Sequence, residues 1–206
     1  MENQNITSTE YTIKKPQNIP SLMEVSVIEI DKMSVQPTYE YVAAPVLNEN
    51  VFLTASIKNW QELNLLPAES NIYFSGVFVG KSYINPYQTE DEMVISLGVA
   101  PSISVKRELD SNLKSKNFIG NNRVVETGYI LKVSNNSNKT INLKLLDRIP
   151  VSQNKEIKVD EVQQDATTYD EKKGILTWNL NLQPNENTEK HLSYEIKFPK
   201  GKRINL

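Results

Sequence analysis

The chain contains no cysteine, which excludes disulfide frameworks, thiolate zinc sites and cysteine nucleophiles, and leaves thiols silent on the redox compartment. It contains one histidine, His191, so a metal site built on paired imidazoles is excluded as well. Neither sign of charge is in excess: 23 Lys and Arg against 25 Asp and Glu leave a formal net charge of -2. No basic stripe runs along the chain, and a nucleic-acid partner is not expected. Met1 to Pro20 is polar with no apolar h-region, and no stretch reaches the roughly 18 apolar residues of a membrane-spanning helix.

What the chain does have is period two. Leu176, Trp178, Leu180 and Leu182 alternate with Thr177, Asn179 and Asn181, and Leu192, Tyr194, Ile196 and Phe198 alternate with Ser193, Glu195 and Lys197. Successive strand side chains point to opposite faces, so each run offers one apolar stripe to a core. Pro184 to Asn187 carries turn chemistry between them, and the pattern predicts an antiparallel hairpin with Trp178 buried. The same reading predicts a hairpin from Val125–Val133 through Asn135–Asn138 to Ile141–Leu145, and another from Ile72 through Gly76 to Ile84. Single strands are predicted at Val51–Ile57, Met93–Leu97 and Ile103–Leu109. Tyr11–Ile13 predicts a short edge strand, the phase slip in Met23–Ile30 a β-bulge, and Tyr39–Val46 a strand interrupted at Pro45, which suits an edge or a bend better than a central position. Asn59–Pro67, with Trp60, predicts a turn or one helical turn.

With 206 residues there is room for two small domains. The expected fold is all-β: two consecutive antiparallel β-sandwich-like halves, residues 1–109 and 123–206. The second half is immunoglobulin- or fibronectin-like, and a long hairpin with a polar tip at 110–122 joins the two.

No residue set identifies a reaction. His191 falls on the polar parity of its strand beside Ser193 and Glu195, where a solvated histidine is the better reading than a triad member. Gly76 with Gly80-Lys81-Ser82 imitates a phosphate loop, but it is one residue short and lies inside a hairpin rather than ahead of a helix. Gly76 reads as a turn residue and Gly80 as a bulge or close-approach position. Thr89-Glu90-Asp91-Glu92 lacks the ligand spacing and glycine of a calcium loop and reads as a solvated acidic loop. Tyr73, Phe78, Tyr83 and Tyr87 gather around one hairpin with rings on both parities, and they are the candidate ligand-contacting residues.

Seven pieces of sequence occur in a particular order: Tyr41-Val42-Ala43-Ala44-Pro45, Asn71 to Gly76 with Val79-Gly80, Ser96-Leu97-Gly98-Val99, Asp147-Arg148-Ile149-Pro150-Val151-Ser152, Glu156-Ile157-Lys158-Val159, Gly174-Ile175-Leu176-Thr177-Trp178 and Phe198-Pro199-Lys200. This ordered set resembles the C-terminal domain of unknown function of the bacterial mucoidy inhibitor A family. Pro67-Ala68 departs from it, since relatives often place glycine after the equivalent of Leu65-Leu66. The resemblance implies a β-rich C-terminal module that follows a small β domain and a coiled coil in the full protein. It also implies an extracytoplasmic bacterial setting, at the periplasm or cell surface, and supplies no catalytic residues.

The expected function is a non-catalytic structural or protein-interaction module of a larger envelope-associated protein, without cofactor or metal, acting through protein partners or self-association. The alternative is a carbohydrate-binding or carbohydrate-processing module, with the four rings stacking on sugars and Asp91 or Glu92 bonding hydroxyls. A sugar platform requires exposed, coplanar rings beside a groove with a carboxylate in reach. A scaffold requires rings that are buried, scattered or covered.

Overall fold

The computed structural model describes residues 2–5, 8–11, 13, 16, 21, 27–87, 91–113 and 115–202. The chain divides into two compact units, Met1–Gln36 and Pro37–Leu206. In the first, β1 (Glu2–Asn5) and β2 (Ser8–Tyr11) pair antiparallel, with Glu2 opposite Tyr11. The strand expected at Tyr11–Ile13 therefore belongs to β2 only through Tyr11, and Thr12 lies outside the described residues. The bulge expected in Met23–Ile30 also falls largely outside them, and Val27–Ile30 forms no strand.

The second unit is all-β, as its alternation requires. Its strands are β3 (Thr38–Ala44), β4 (Asn48–Lys58), β5 (Ala68–Phe74), β6 (Val77–Ile84), β7 (Glu92–Val99), β8 (Ile103–Leu109), β9 (Ser115–Ile119), β10 (Asn122–Asn135), β11 (Ile141–Arg148), β12 (Lys158–Gln164), β13 (Thr168–Asp170), β14 (Ile175–Leu182) and β15 (Asn187–Pro199). Two short 3-10 turns, Trp60–Leu63 and Ser111–Leu113, punctuate them, and Trp60 is buried.

One sheet has the order β12-β15-β10-β8, with β9 pairing the start of β10, and the other the order β13-β14-β11-β3-β4-β7. Their facing apolar stripes form one core, in which Ala43, Val51, Ile103 and Val105 pack with Leu131, Leu145, Trp178 and Tyr194. Residues before and after the expected boundary thus share both sheets and the core. The two consecutive halves, 1–109 and 123–206, do not coincide with the two sheets: β8 pairs β10 across the boundary, and β3 pairs β11 in parallel with Tyr41 opposite Leu143. Of the two placements expected for Pro45 the bend is the one seen: β3 ends at Ala44 and Pro45 lies in the turn to β4, while β3 itself lies between β4 and β11.

Two expected hairpins are also sheet-to-sheet crossings. β14 and β15 bury their apolar residues as predicted, with Trp178 and Leu192 in the core, yet β14 pairs β11 and β15 pairs β10. β10 and β11 likewise lie in different sheets. Period two specifies which face of a strand is buried; it does not say whether the next strand sits beside it or across the core.

Asn135, fully buried, pins these crossings together. Its side-chain amide donates to the carbonyls of Lys139, Leu182 and Gln183, its side-chain oxygen accepts from Ser137, and its backbone N–H donates to Glu186. The polar tip at 110–122 is structured as well: β9 pairs β10 with Phe118 opposite Arg123, and Leu113 covers Gly128, where a Cβ would lie 2.6 Å from its Cδ1.

Candidate functional site

The β5–β6 hairpin forms as its sequence predicts. Ser75 (φ 49) and Gly76 (φ 78) make a two-residue turn of the kind whose twist matches paired strands. These two strands pair only with each other, so the hairpin is a two-stranded ribbon rather than part of either large sheet. The register shifts between Ile72 and Tyr73, with Ile72 opposite Gly80 and Tyr73 opposite Phe78, which leaves Val79 as the extra residue of a bulge at the expected glycine.

That bulge decides where the rings go. Phe78 and Tyr83 have opposite parity, and in a regular strand they would face opposite sides. The extra residue restores the phase, so the Tyr73/Phe78 pair and the Glu69/Tyr83 pair present their side chains on one face of the ribbon. Tyr73, Phe78 and Tyr83 are 65, 51 and 66 % exposed. Tyr73 and Phe78 meet edge to face, with centroids 5.5 Å apart and planes at 63°. Lys81 and Glu69 form an ion pair of 2.6 Å on the same face. Tyr87, 80 % exposed, sits after the strand in a turn where its N–H donates to the Asn85 side chain, and it does not join that face. The exposure departs from the buried or covered rings of a scaffold, and the 63° angle departs from a coplanar sugar platform. Val77, 63 % exposed at the ribbon tip, was not singled out from sequence, where a valine in an alternating strand reads as core.

On its side toward β7, the ribbon encloses a cleft of about 270 Å³ lined by Ser70, Ser82, Tyr83, Glu92, Met93 and Ile95. Val79 lies against Gly98, 3.8 Å from where a Cβ would be. Glu92 is already engaged: it accepts from the Ser56 hydroxyl at 2.6 Å and pairs with Lys58 at 3.4 Å. The Ser56 hydrogen bond, then Lys58, holds its carboxyl below the usual range, opposite to the shift a general acid needs. Asp91 is exposed, and Thr89-Glu90 lies outside the described residues.

The other polar groups have structural partners. His191 is exposed on the outer face of β15. Asp165 accepts from the Trp178 indole N–H at 2.7 Å and from Lys190 at 3.1 Å. Burial disfavours its charge, but Trp178, Lys190 and the His191 backbone outweigh that and hold the carboxyl below its ordinary value. Inside the core, Arg107 stacks on Tyr129 at 3.4 Å, and burial followed by Tyr129 raises Tyr194 to about 12. Such a tyrosine stays protonated at neutral pH. Among the described residues no group of three or more His, Asp or Glu is placed to hold a metal ion.

Two of the pieces of sequence that carry the family resemblance, Asp147–Ser152 and Gly174–Trp178, meet at this core. Asp147 and Arg148 pair with Leu176 and Ile175, and Ile149 N–H donates to the Gly174 carbonyl at 2.8 Å. Gly174 has φ 70, and a Cβ there would collide with the Ile149 carbonyl oxygen. These two pieces build the fold, whereas Asn71–Gly76 with Val79-Gly80 lies on the exposed β5–β6 ribbon. Residues 2–200 match a family described as a domain of unknown function, DUF4139. The chain belongs to the DUF4139 family. A curated relative, Protein F37C4.5 of Caenorhabditis elegans, is 22 % identical over 219 residues that cover 99 % of the chain and 39 % of the relative. The DUF4139 chain thus spans well under half the length of that relative. No helix among the described DUF4139 residues is long and apolar enough to cross a membrane.

Proposed function

We propose that this DUF4139 domain is a non-catalytic protein-interaction module of a larger protein, and that the exposed face of the β5–β6 ribbon is its contact surface. The observation that carries this reading is the joint presentation of Tyr73, Phe78 and Tyr83 on one face of a two-stranded ribbon. Clustered aromatics flanked by a charged pair are the composition of interface centres, and they cost little conformational entropy to order. A ribbon without further strands is only marginally stable in water, so cover by a partner or by a second copy stabilises it. The parent is a bacterial protein of the mucoidy inhibitor A type working outside the cytoplasm, a reading supported by the sequence resemblance.

The test uses the full-length parent with a photo-crosslinking residue at Lys81. One specific protein, or the parent itself, is captured, and Tyr73→Ala/Phe78→Ala/Tyr83→Ala loses it while the melting temperature holds. No crosslink, or a crosslink indifferent to the three rings, overturns the reading. The carbohydrate alternative draws on Tyr83 and Glu92 lining one cleft. Glycan-array binding that disappears in Tyr83→Ala and Tyr87→Ala would replace the protein-contact reading.

A further inference from the structure

Away from the ribbon, another exposed aromatic stands at one end of the five-stranded sheet. The register places Phe118, Arg123 and Phe198 side by side across β9, β10 and β15. Phe198 closes the core, whereas Phe118 continues the same row past its edge and is 61 % exposed. The Arg123 guanidinium lies 5.8 Å from the Phe118 ring and 5.9 Å from Phe198, and the Lys200 ammonium 5.1 Å from Phe118. The exposed ring is therefore held in place by cations on its faces. The Lys200 backbone N–H also donates to Asn121 in the β9–β10 turn, which fixes the segment carrying that ammonium.

The charges that touch the ring are positive. Lys197 and Lys158 lie one row further along the sheet, opposite each other, and Lys202 follows Lys200. Among the described residues, Glu156 ahead of β12 pairs with Lys202, and Glu171 lines a cleft with Lys155 and Lys158. The next acids on these strands, Glu126, Glu195 and Asp160, share a row three residues from Phe118. At about 3.3 Å per residue that is roughly 10 Å away, about a Debye length at physiological salt, so their field at the ring is largely screened.

We infer that this end of the sandwich docks on an anionic lipid bilayer surface, with Phe118 entering the interface and Arg123, Lys197 and Lys200 meeting headgroup phosphates. Cations alone would serve any polyanion. The exposed phenyl ring among them fits a bilayer, whose apolar layer lies beneath the charged one, better than a sulfated polysaccharide. Stacking on nucleobases is the other gain open to a ring, and the single-stranded DNA arm of the experiment tests it. The surface lies on strands other than those of the ribbon and does not depend on the ribbon's function.

The test is co-sedimentation of the 206-residue chain with vesicles of phosphatidylcholine alone, or of equal parts phosphatidylcholine and phosphatidylglycerol. The chain pellets with the mixed vesicles only, and added salt releases it. Lys197→Gln/Lys200→Gln weakens binding by about tenfold or more, from the loss of two surface cations. Phe118→Ala weakens it by about fivefold, from the loss of one partly inserted ring. Phe118 is exposed, so the variant keeps the parent melting temperature. As an independent reading, Phe118→Trp shows a blue-shifted emission on mixed vesicles. Absence of binding to mixed vesicles, binding unchanged by Phe118→Ala, or equal retention by heparin or single-stranded DNA with no emission shift from the Phe118→Trp variant each overturns the assignment.

Discussion

Arg107 on β8 and Asp147 on β11 join the two sheets through an ion pair of 2.8 Å inside the core, with the Asp147 side chain fully buried. The second Asp147 oxygen accepts from the Arg148 N–H at 2.6 Å, and the guanidinium lies on Tyr129, so both ions are provided for on more than one side. Removing both charges from water is costly, and such a pair fixes a geometry more than it adds stability.

Asp147→Ala is therefore expected to cost about 3 to 5 kcal/mol, because it strands the Arg107 charge, whereas Arg107→Met/Asp147→Leu recovers most of that loss. Urea denaturation of both variants checks this. A double variant no more stable than Asp147→Ala would mean that the pair itself carries the stability.

Asn135→Ala removes an amide that serves both crossings and leaves the carbonyls of Leu182 and Gln183 without that donor. Buried groups left unsatisfied cost about 1 to 3 kcal/mol each, so a loss of about 3 kcal/mol or more is expected by the same measurement. Ser137→Ala, at the edge of the network, should cost much less.

Trp178→Ala should cost about 3 to 5 kcal/mol from its cavity, and Trp178→Phe a smaller amount, chiefly the indole bond to Asp165. Asp165 has its pKa lowered on folding, so its contribution is present above the ordinary carboxylate value of about 3.9 and is lost as pH falls through the folded value. Melting curves of Asp165→Asn and the parent should differ at pH 7 and converge in acid below about pH 4. A gap that persists unchanged in acid would count against the ionised carboxylate.

The segments 1–109 and 123–206, expressed separately, should each fail to show a cooperative transition, since β8 and β3 find their partners β10 and β11 across the cut. Thermal melts of the two pieces alone and mixed test this. Independent melting of either piece would restore the two-domain reading.

Strand existence and buried faces were legible in the sequence, because alternation of Leu176, Trp178, Leu192 and Tyr194 with polar neighbours encodes sidedness residue by residue. The glycine at the ribbon turn and the bulge at Gly80 were legible for the same local reason: backbone conformation there depends on the residue itself. Strand partners were not. The turns at Asn135–Ile141 and Leu182–Asn187 have hairpin chemistry, yet they carry the chain across the core, and what holds them there is a buried amide whose acceptors lie up to 48 residues away. The meeting of Tyr73, Phe78 and Tyr83 on one face followed from a register shift, and that of Phe118 with Arg123 and Lys200 from the pairing of β9 with β10 and the return of the chain end. Alternation records only whether each side chain faces water or core. Which strands share hydrogen bonds, and so which surface residues become neighbours, was decided by closing two sheets around one core.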